Sequence, residues 1–239
     1  MNKVITLLTG LIISLNVFSS EQPDHSIWDR LLQEYVSSTG KVNYKQIKLH
    51  TDSLDAYLKE LIEHGPQADW TKTQRKAYYI NGYNAYCIKF VLLKYPVASV
   101  NDCIFSSKEI WDFKMVKLGE TTITLRYLEN EILRVMGDPR IHFGINCASV
   151  SCPKLINRAY TSDNLSNLLD NMATGFINDP TKNVITAKKM QLSKIFEWYR
   201  ADFETDGQTL VDYINKYSKV KAEANAKIEF LDYNWALNE

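Results

Sequence analysis

Apolar residues recur four apart at Ile27, Leu31 and Tyr35, the spacing of one helix face, and predict a helix over 27–37 with Gly40 as its stop. A second helix is expected over 54–63, capped by Asp52 or Ser53 and closed by Gly65 and Pro66. Thr71 and Gln74 have capping-box spacing and open a third, which runs to Tyr95 ahead of Pro96. Residues 115–125 alternate like a hairpin around Gly119 and Glu120. A helix over 125–136 ends at Gly137, and 140–146 alternates like a strand. Asn178, Asp179 and Pro180 mark a turn, and 184–192 reads as a second hairpin around Lys188 and Lys189. Ser193 then caps a helix carrying Trp198, Tyr199 and Phe203; a helix over 210–217 and a strand over 228–233 follow. With no repeat and no linker, the pattern predicts a single α+β domain, mainly helical, with a small and mostly antiparallel sheet.

Residues 1–20 stand apart. Lys3 precedes a short apolar run over 4–18, and Val17 and Ser19 are small residues placed for signal-peptidase cleavage. This is the layout of a signal peptide. The run is shorter than the roughly 20 apolar residues of a membrane span, although an uncleaved anchor is the alternative. The expectation is a periplasmic or secreted domain over 21–239, free of the membrane once the signal is removed.

Composition narrows the function. Lys plus Arg equals Asp plus Glu, at 28 each, so the chain has no electrostatic case for nucleic acid. The four cysteines, Cys87, Cys103, Cys147 and Cys152, are too scattered for a small disulfide scaffold, and a domain of this length does not need one. The 14 tyrosines suit an aromatic groove for a small molecule or peptide.

Three polar residues fall on apolar stripes. Asn81 and Asn84 lie among Ala77, Ile80, Ile88 and Val91 on one helix, and Glu129 lies beside Leu125, Leu128 and Ile132 on another. Buried amides need hydrogen-bond partners. Asn81 and Asn84 are therefore either braces for a loop backbone or ligands in a site. Glu129 is either half of a salt bridge or the group that orients a histidine.

The chemistry concentrates in HFGINCASVSCP, residues 142–153, which holds one of four histidines and two of four cysteines. As a strand it would turn His142, Gly144 and Asn146 to one side. Five extended residues span about 16 Å, so His142 meets Cys147 only through a sharp turn after Asn146 or through a substrate. Pro153 would place Cys152 at a helix start, where a thiol is acidified. Spacing alone does not choose between the thiols, and a disulfide between them is a further possibility. A zinc site lacks the two-residue spacings and a fourth ligand; neither a metal nor another cofactor is expected.

These residues also resemble a family, the domain of unknown function 547. The resemblance rests on YYINGYNAY at 78–86, IWDF at 110–113, LRYLENEILR at 125–134, RIHFGINCASVSCP at 140–153, LSKIFEWYRADF at 192–203 and FLDYNWALN at 230–238. It implies that Asn81, Asn84, Glu129, His142, Cys147 and Cys152 are motif residues, and it assigns no activity. The order Glu, His, Cys is that of a permuted papain-like arrangement, an analogy of residue types. The leading expectation is an exported thiol-dependent hydrolase or transferase acting on an amide or thioester bond. Cys147 would be its nucleophile with Cys152 in reserve, His142 its base and acid, and Glu129 the orienter. Asn81, Asn84, Asn146 and Trp111 would bind substrate. The alternative is a non-catalytic peptide- or glycan-binding domain with a structural or disulfide-linked Cys/His cluster.

Overall fold

Four helices, α1 (His25–Tyr35), α2 (Tyr44–Leu49), α3 (Asp52–Glu63) and α4 (Lys72–Lys94), build the first half of the fold. The computed structural model describes residues 21–239, so the expected signal peptide lies outside the described residues. Among them, no helix is long and apolar enough to cross a membrane. Thr71 and Gln74 form the capping box that starts α4. The helix is buried on most sides, Asn81 and Asn84 included, and becomes the axis around which the other elements pack.

Two antiparallel hairpins follow: β1 (Ile104–Phe105) with β2 (Lys108–Glu109), and β3 (Val116–Leu118) with β4 (Thr121–Ile123). Next, α5 (Leu125–Tyr127) runs into a π-helical stretch, Leu128–Leu133, and a 3-10 turn, Arg134–Met136. Then come α6 (Ile141–Gly144) and α7 (Leu165–Ile177), followed by β5 (Val184–Ile185), β6 (Lys189–Leu192), α8 (Ile195–Trp198), α9 (Arg200–Phe203), α10 (Leu210–Tyr217) and β7 (Lys227–Phe230). Strand β6 pairs antiparallel with β5 and parallel with β7. The fold is α+β and mainly helical, with several small, mostly antiparallel sheets instead of one.

Three expectations need correction. Residues 141–144 form a helical turn, not a strand: Asp138 Oδ1 accepts the Arg140 N–H at 3.1 Å, and the Ile145 N–H reaches the Ile141 carbonyl at 3.0 Å. Alternation signals a strand only when one face meets solvent, and here 141–146 are all buried. The helix after Ser193 breaks at Tyr199 into α8 and α9. Helix α7 was not anticipated, although Leu165, Leu169, Met172, Ala173 and Phe176 have helical spacing and are buried.

The core has two parts. One surrounds α4 and includes Trp28, Tyr57, Tyr78, Ile80 and Leu128. The other gathers Phe143, Phe176, Phe196, Phe203 and Tyr213. The 141–145 segment joins them, with Ile141 and Ile145 in the first and Phe143 in the second. Asn84 holds that segment: its Nδ2 donates to the Gly144 carbonyl at 2.9 Å, and its Oδ1 accepts the Asn146 N–H at 2.8 Å. Gly144 packs closely here: a Cβ would lie 2.8 Å from Leu169 Cδ2, so the end of that side chain would have to move. Replacing Asn84 with alanine strands a buried carbonyl and a buried N–H, each costing about 1–3 kcal/mol. Urea unfolding of Asn84→Ala is expected to show a loss of roughly 2–4 kcal/mol. A loss within experimental error of zero would remove this clamp from the account.

Candidate functional site

Beyond the Asn84 clamp the chain turns sharply. Asn146 Oδ1 accepts the Ala148 N–H at 2.9 Å, and Ala148 adopts a left-handed conformation (φ 61°), uncommon for a residue with a Cβ. Such strain persists only when the surroundings over-determine it. Here the C-terminal tail does so. Asn238 donates its N–H to the Ala148 carbonyl at 3.0 Å and its Nδ2 to Asn146 Oδ1 at 3.2 Å. Tyr44 Oη fixes Asn238 Oδ1 at 2.8 Å, and the Val150 N–H reaches the Ala236 carbonyl at 2.8 Å. A sharp turn after Asn146, one of the two routes by which His142 and Cys147 could share a site, is present.

It delivers both sulfurs to one cleft. All four cysteines are free thiols. Cys147 keeps some exposure, whereas Cys152 is buried. Cys147 Sγ lies 3.0 Å from Ser149 Oγ and 3.1 Å from Tyr233 Oη. The Cys147 N–H donates to Cys152 Sγ at 2.9 Å. Burial opposes the Cys147 thiolate, but hydrogen bonds from Cys152, Ser149 and Tyr233 outweigh it and bring this thiol below its usual value, to about 7. Burial pushes Cys152 well up, and its bond to Cys147 raises it further. The pair therefore keeps its proton on Cys152 and its nucleophilic character on Cys147.

His142 Nε2 lies 2.7 Å from Asp202 Oδ2. Arg134 grips the same carboxylate with two bonds, Nε to Oδ2 at 2.6 Å and Nη2 to Oδ1 at 2.8 Å. Burial works against the Asp202 charge, but the bonds from Arg134 and His142 win and hold this carboxyl far below the usual range. The imidazole stacks on Tyr199, ring centres 4.1 Å apart. Nδ1 makes no hydrogen bond among the described residues, yet it is not among the buried polar atoms sealed off without a partner. With Nε2 on Asp202, Nδ1 is the nitrogen left for another partner, and His142 lines the cleft.

The cleft has a volume of about 350 Å³ and sits where the two core clusters meet. His142, Cys147, Cys152, Glu129 and Trp111 all line it. Among the described residues no hydrogen bond joins His142 to either sulfur, so histidine and thiol would act together across a bound ligand. Glu129 comes from the π-helical stretch, a distortion common at functional sites. It does not orient His142; it accepts from Tyr83 Oη at 3.2 Å, and Asp202 takes the orienting position. The expected substrate-binding asparagines also have other work. Asn81 spends its amide on both backbone groups of Tyr160, at 2.7 and 3.0 Å, and Asn84 on Gly144 and Asn146. Asn146 holds Ala148 and donates to the Pro153 carbonyl at 2.7 Å, and it borders a different cavity. Buried amides with both ends bonded to backbone are braces.

Asp202, Ser149 and Tyr233 escaped the sequence reading. Ser149 stands two residues from Cys147, which was a usable signal. Asp202 and Tyr233 come from distant segments, 60 and 86 residues from their partners, and no periodicity marks them. A cluster spaced for a cation, Glu60, Glu63 and His64, sits at the end of α3 outside this cleft.

The family described as "Protein of unknown function, DUF547" matches residues 67–177, which supports assigning the chain to that family. The match covers α4, the π-helical stretch, the His/Cys segment and α7; Asp202 and Tyr233 fall beyond it. Neither the curated proteins nor the solved structures offer a match.

Asp202 sets an acid limit on the fold. Its folded value lies below the roughly 4 of an unfolded aspartate, so its stabilisation is complete above that pH and is lost as the pH falls further. Asp138, whose carboxyl burial disfavours but Arg140 and Lys76 bring down to about 2, adds a second contribution of the same sign. Unfolding measured from pH 7 to pH 3 is expected to show Asp202→Asn less stable than the parent at pH 7, with the gap closing as acid is added. A constant gap would contradict the assignment.

Proposed function

We propose that the protein is a thiol-dependent hydrolase or transferase acting on an amide or thioester bond. The observation that carries this reading is the acidified Cys147, bonded to two hydroxyls, in the same cleft as a histidine fixed by Asp202. The Cys147 thiolate attacks the carbonyl carbon. Charge then develops on the carbonyl oxygen next to the sulfur. Tyr233 Oη, 3.1 Å from that sulfur and kept protonated by burial and by the Cys147 charge, is placed to donate to it. His142, through Nδ1, gives a proton to the leaving amine or thiol, and the acyl group stays on Cys147 as a thioester. The imidazole then takes a proton from water or from an acceptor nucleophile, which releases the acyl group and restores the thiolate. Asp202 holds the ring and stabilises the imidazolium that donates in the first step, becomes neutral with the acyl-enzyme, and forms again in the second.

Export is part of this reading and rests on residues 1–20 alone. The exposed aromatic wall at Trp198 favours a second reading, ligand binding without catalysis.

Thiol alkylation by iodoacetamide, mapped by mass spectrometry over a pH series, separates the two. Cys147 is expected to be labelled first, with a midpoint near neutral pH. Cys147→Ser removes that label. Cys152→Ala removes a donor to the thiolate and shifts the midpoint upward by about a unit. Equal labelling of Cys147 and the other cysteines, with a midpoint at the ordinary thiol value, would overturn the catalytic reading.

A further inference from the structure

Charge and aromatic surface are unevenly shared around the cleft. Glu129 lines it and has no ion pair among the described residues. Its neighbours Arg126 and Arg134 feel its charge, but their N–H groups point elsewhere. Arg126 is bound by Asp112 at 2.7 and 3.0 Å and by Glu109 at 3.6 Å, and Arg134 is bound by Asp202. Arg126 is thus taken up by Asp112 and Glu109, with Lys108 also acting on Asp112, and Arg134 by Asp202, which leaves Glu129 as a cleft carboxylate with no ion pair among the described residues. Burial and the nearness of Glu129 keep the Tyr83 and Tyr199 hydroxyls protonated, so they support Glu129 as donors and add no charge.

Another part of the lining is aromatic. Trp198, Tyr233 and Trp235 form a cluster with ring centres 4.5 to 5.8 Å apart, and Trp198 is 46% exposed. A ring face and an uncompensated carboxylate both attract a cation and repel an anion, and a partly enclosed site strengthens each effect.

We propose that the cleft selects a substrate bearing an ammonium or guanidinium group, with the cation at Glu129 and the hydrocarbon against the Trp198 wall. The inference rests on the reading of this cleft as the substrate site. The carbonyl at Cys147 would then belong to a molecule that is cationic elsewhere, such as an amide of a basic amine or a peptide with a lysine or arginine side chain.

Binding can be measured without chemistry. Three probes of matched shape, benzylammonium, benzyl alcohol and benzoate, are titrated into the Cys147→Ala form of the full chain and followed by tryptophan fluorescence and calorimetry. Benzylammonium is expected to bind at least tenfold tighter than benzyl alcohol, with benzoate weakest. Glu129→Gln is expected to erase the preference for the ammonium while leaving the alcohol unchanged. Trp198→Leu, at an exposed position, is expected to weaken all three probes while keeping their order, and Glu129→Ala serves for the charge test where Glu129→Gln does not fold. Alcohol or benzoate binding as tightly as the ammonium, or no binding by any probe, would overturn the proposal. So would a preference that survives substitution of Glu129. The two readings fail separately. A reactive Cys147 without ammonium preference removes only the charge selection, and an ammonium preference beside an unreactive Cys147 removes only the catalysis.

Discussion

The arrangement of this site depends on one buried amide. Asn84, on the axial helix, binds the carbonyl of Gly144 and the N–H of Asn146. These two groups lie at the end of a helical turn, where backbone hydrogen bonding would otherwise be left open. By closing them, Asn84 fixes where α6 stops and where the turn to Cys147 begins. Gly144 eases the close packing, since a Cβ there would displace the end of the Leu169 side chain. The same segment sends Phe143 into one core cluster and Ile141 and Ile145 into the other, so the seam between the clusters becomes the floor of the cleft.

From that constraint the rest of the geometry follows. The strained Ala148 and the tail around Asn238 aim Cys147 at the cavity, and Ser149 and Tyr233 set the charge state of its sulfur. The π-helical stretch places Glu129 on the cleft, and Arg134, which follows it, meets Asp202 and through it His142. Burial opposes the charges on Asp202 and Cys147, and specific partners restore them: Arg134 and His142 for Asp202, and Cys152, Ser149 and Tyr233 for Cys147. Cys152, with no comparable set of donors, keeps its proton.

Much of the fold was legible in sequence. The capping box at Thr71, the hairpin at Gly119 and the helix over 210–217 are local patterns, and each was found where it was expected. Helical phase also singled out Asn81, Asn84 and Glu129 as polar groups on buried stripes. It could not say which were braces, because that depends on backbone groups some 60 to 80 residues away. The 140–146 segment misled because alternation carries no information when both faces are buried. Asp202 and Tyr233 lie in the motif segments 192–203 and 230–238, but their roles could not be read there for a related reason. Their importance comes from pairing across the two halves of the fold, while each sits in a segment whose local pattern is ordinary.

The central claim is that Cys147 is the sulfur that forms an acyl bond, with His142 assisting. Its most direct measurement is intact and peptide-level mass spectrometry of the protein after brief exposure to p-nitrophenyl acetate near neutral pH. The account predicts one acetyl group, on Cys147, released by hydroxylamine as a thioester is, and hydrolysed much more slowly, so that it accumulates, when His142 is replaced by alanine. Acetylation confined to surface lysines, or placed on Cys152 with Cys147 unmodified, would contradict it.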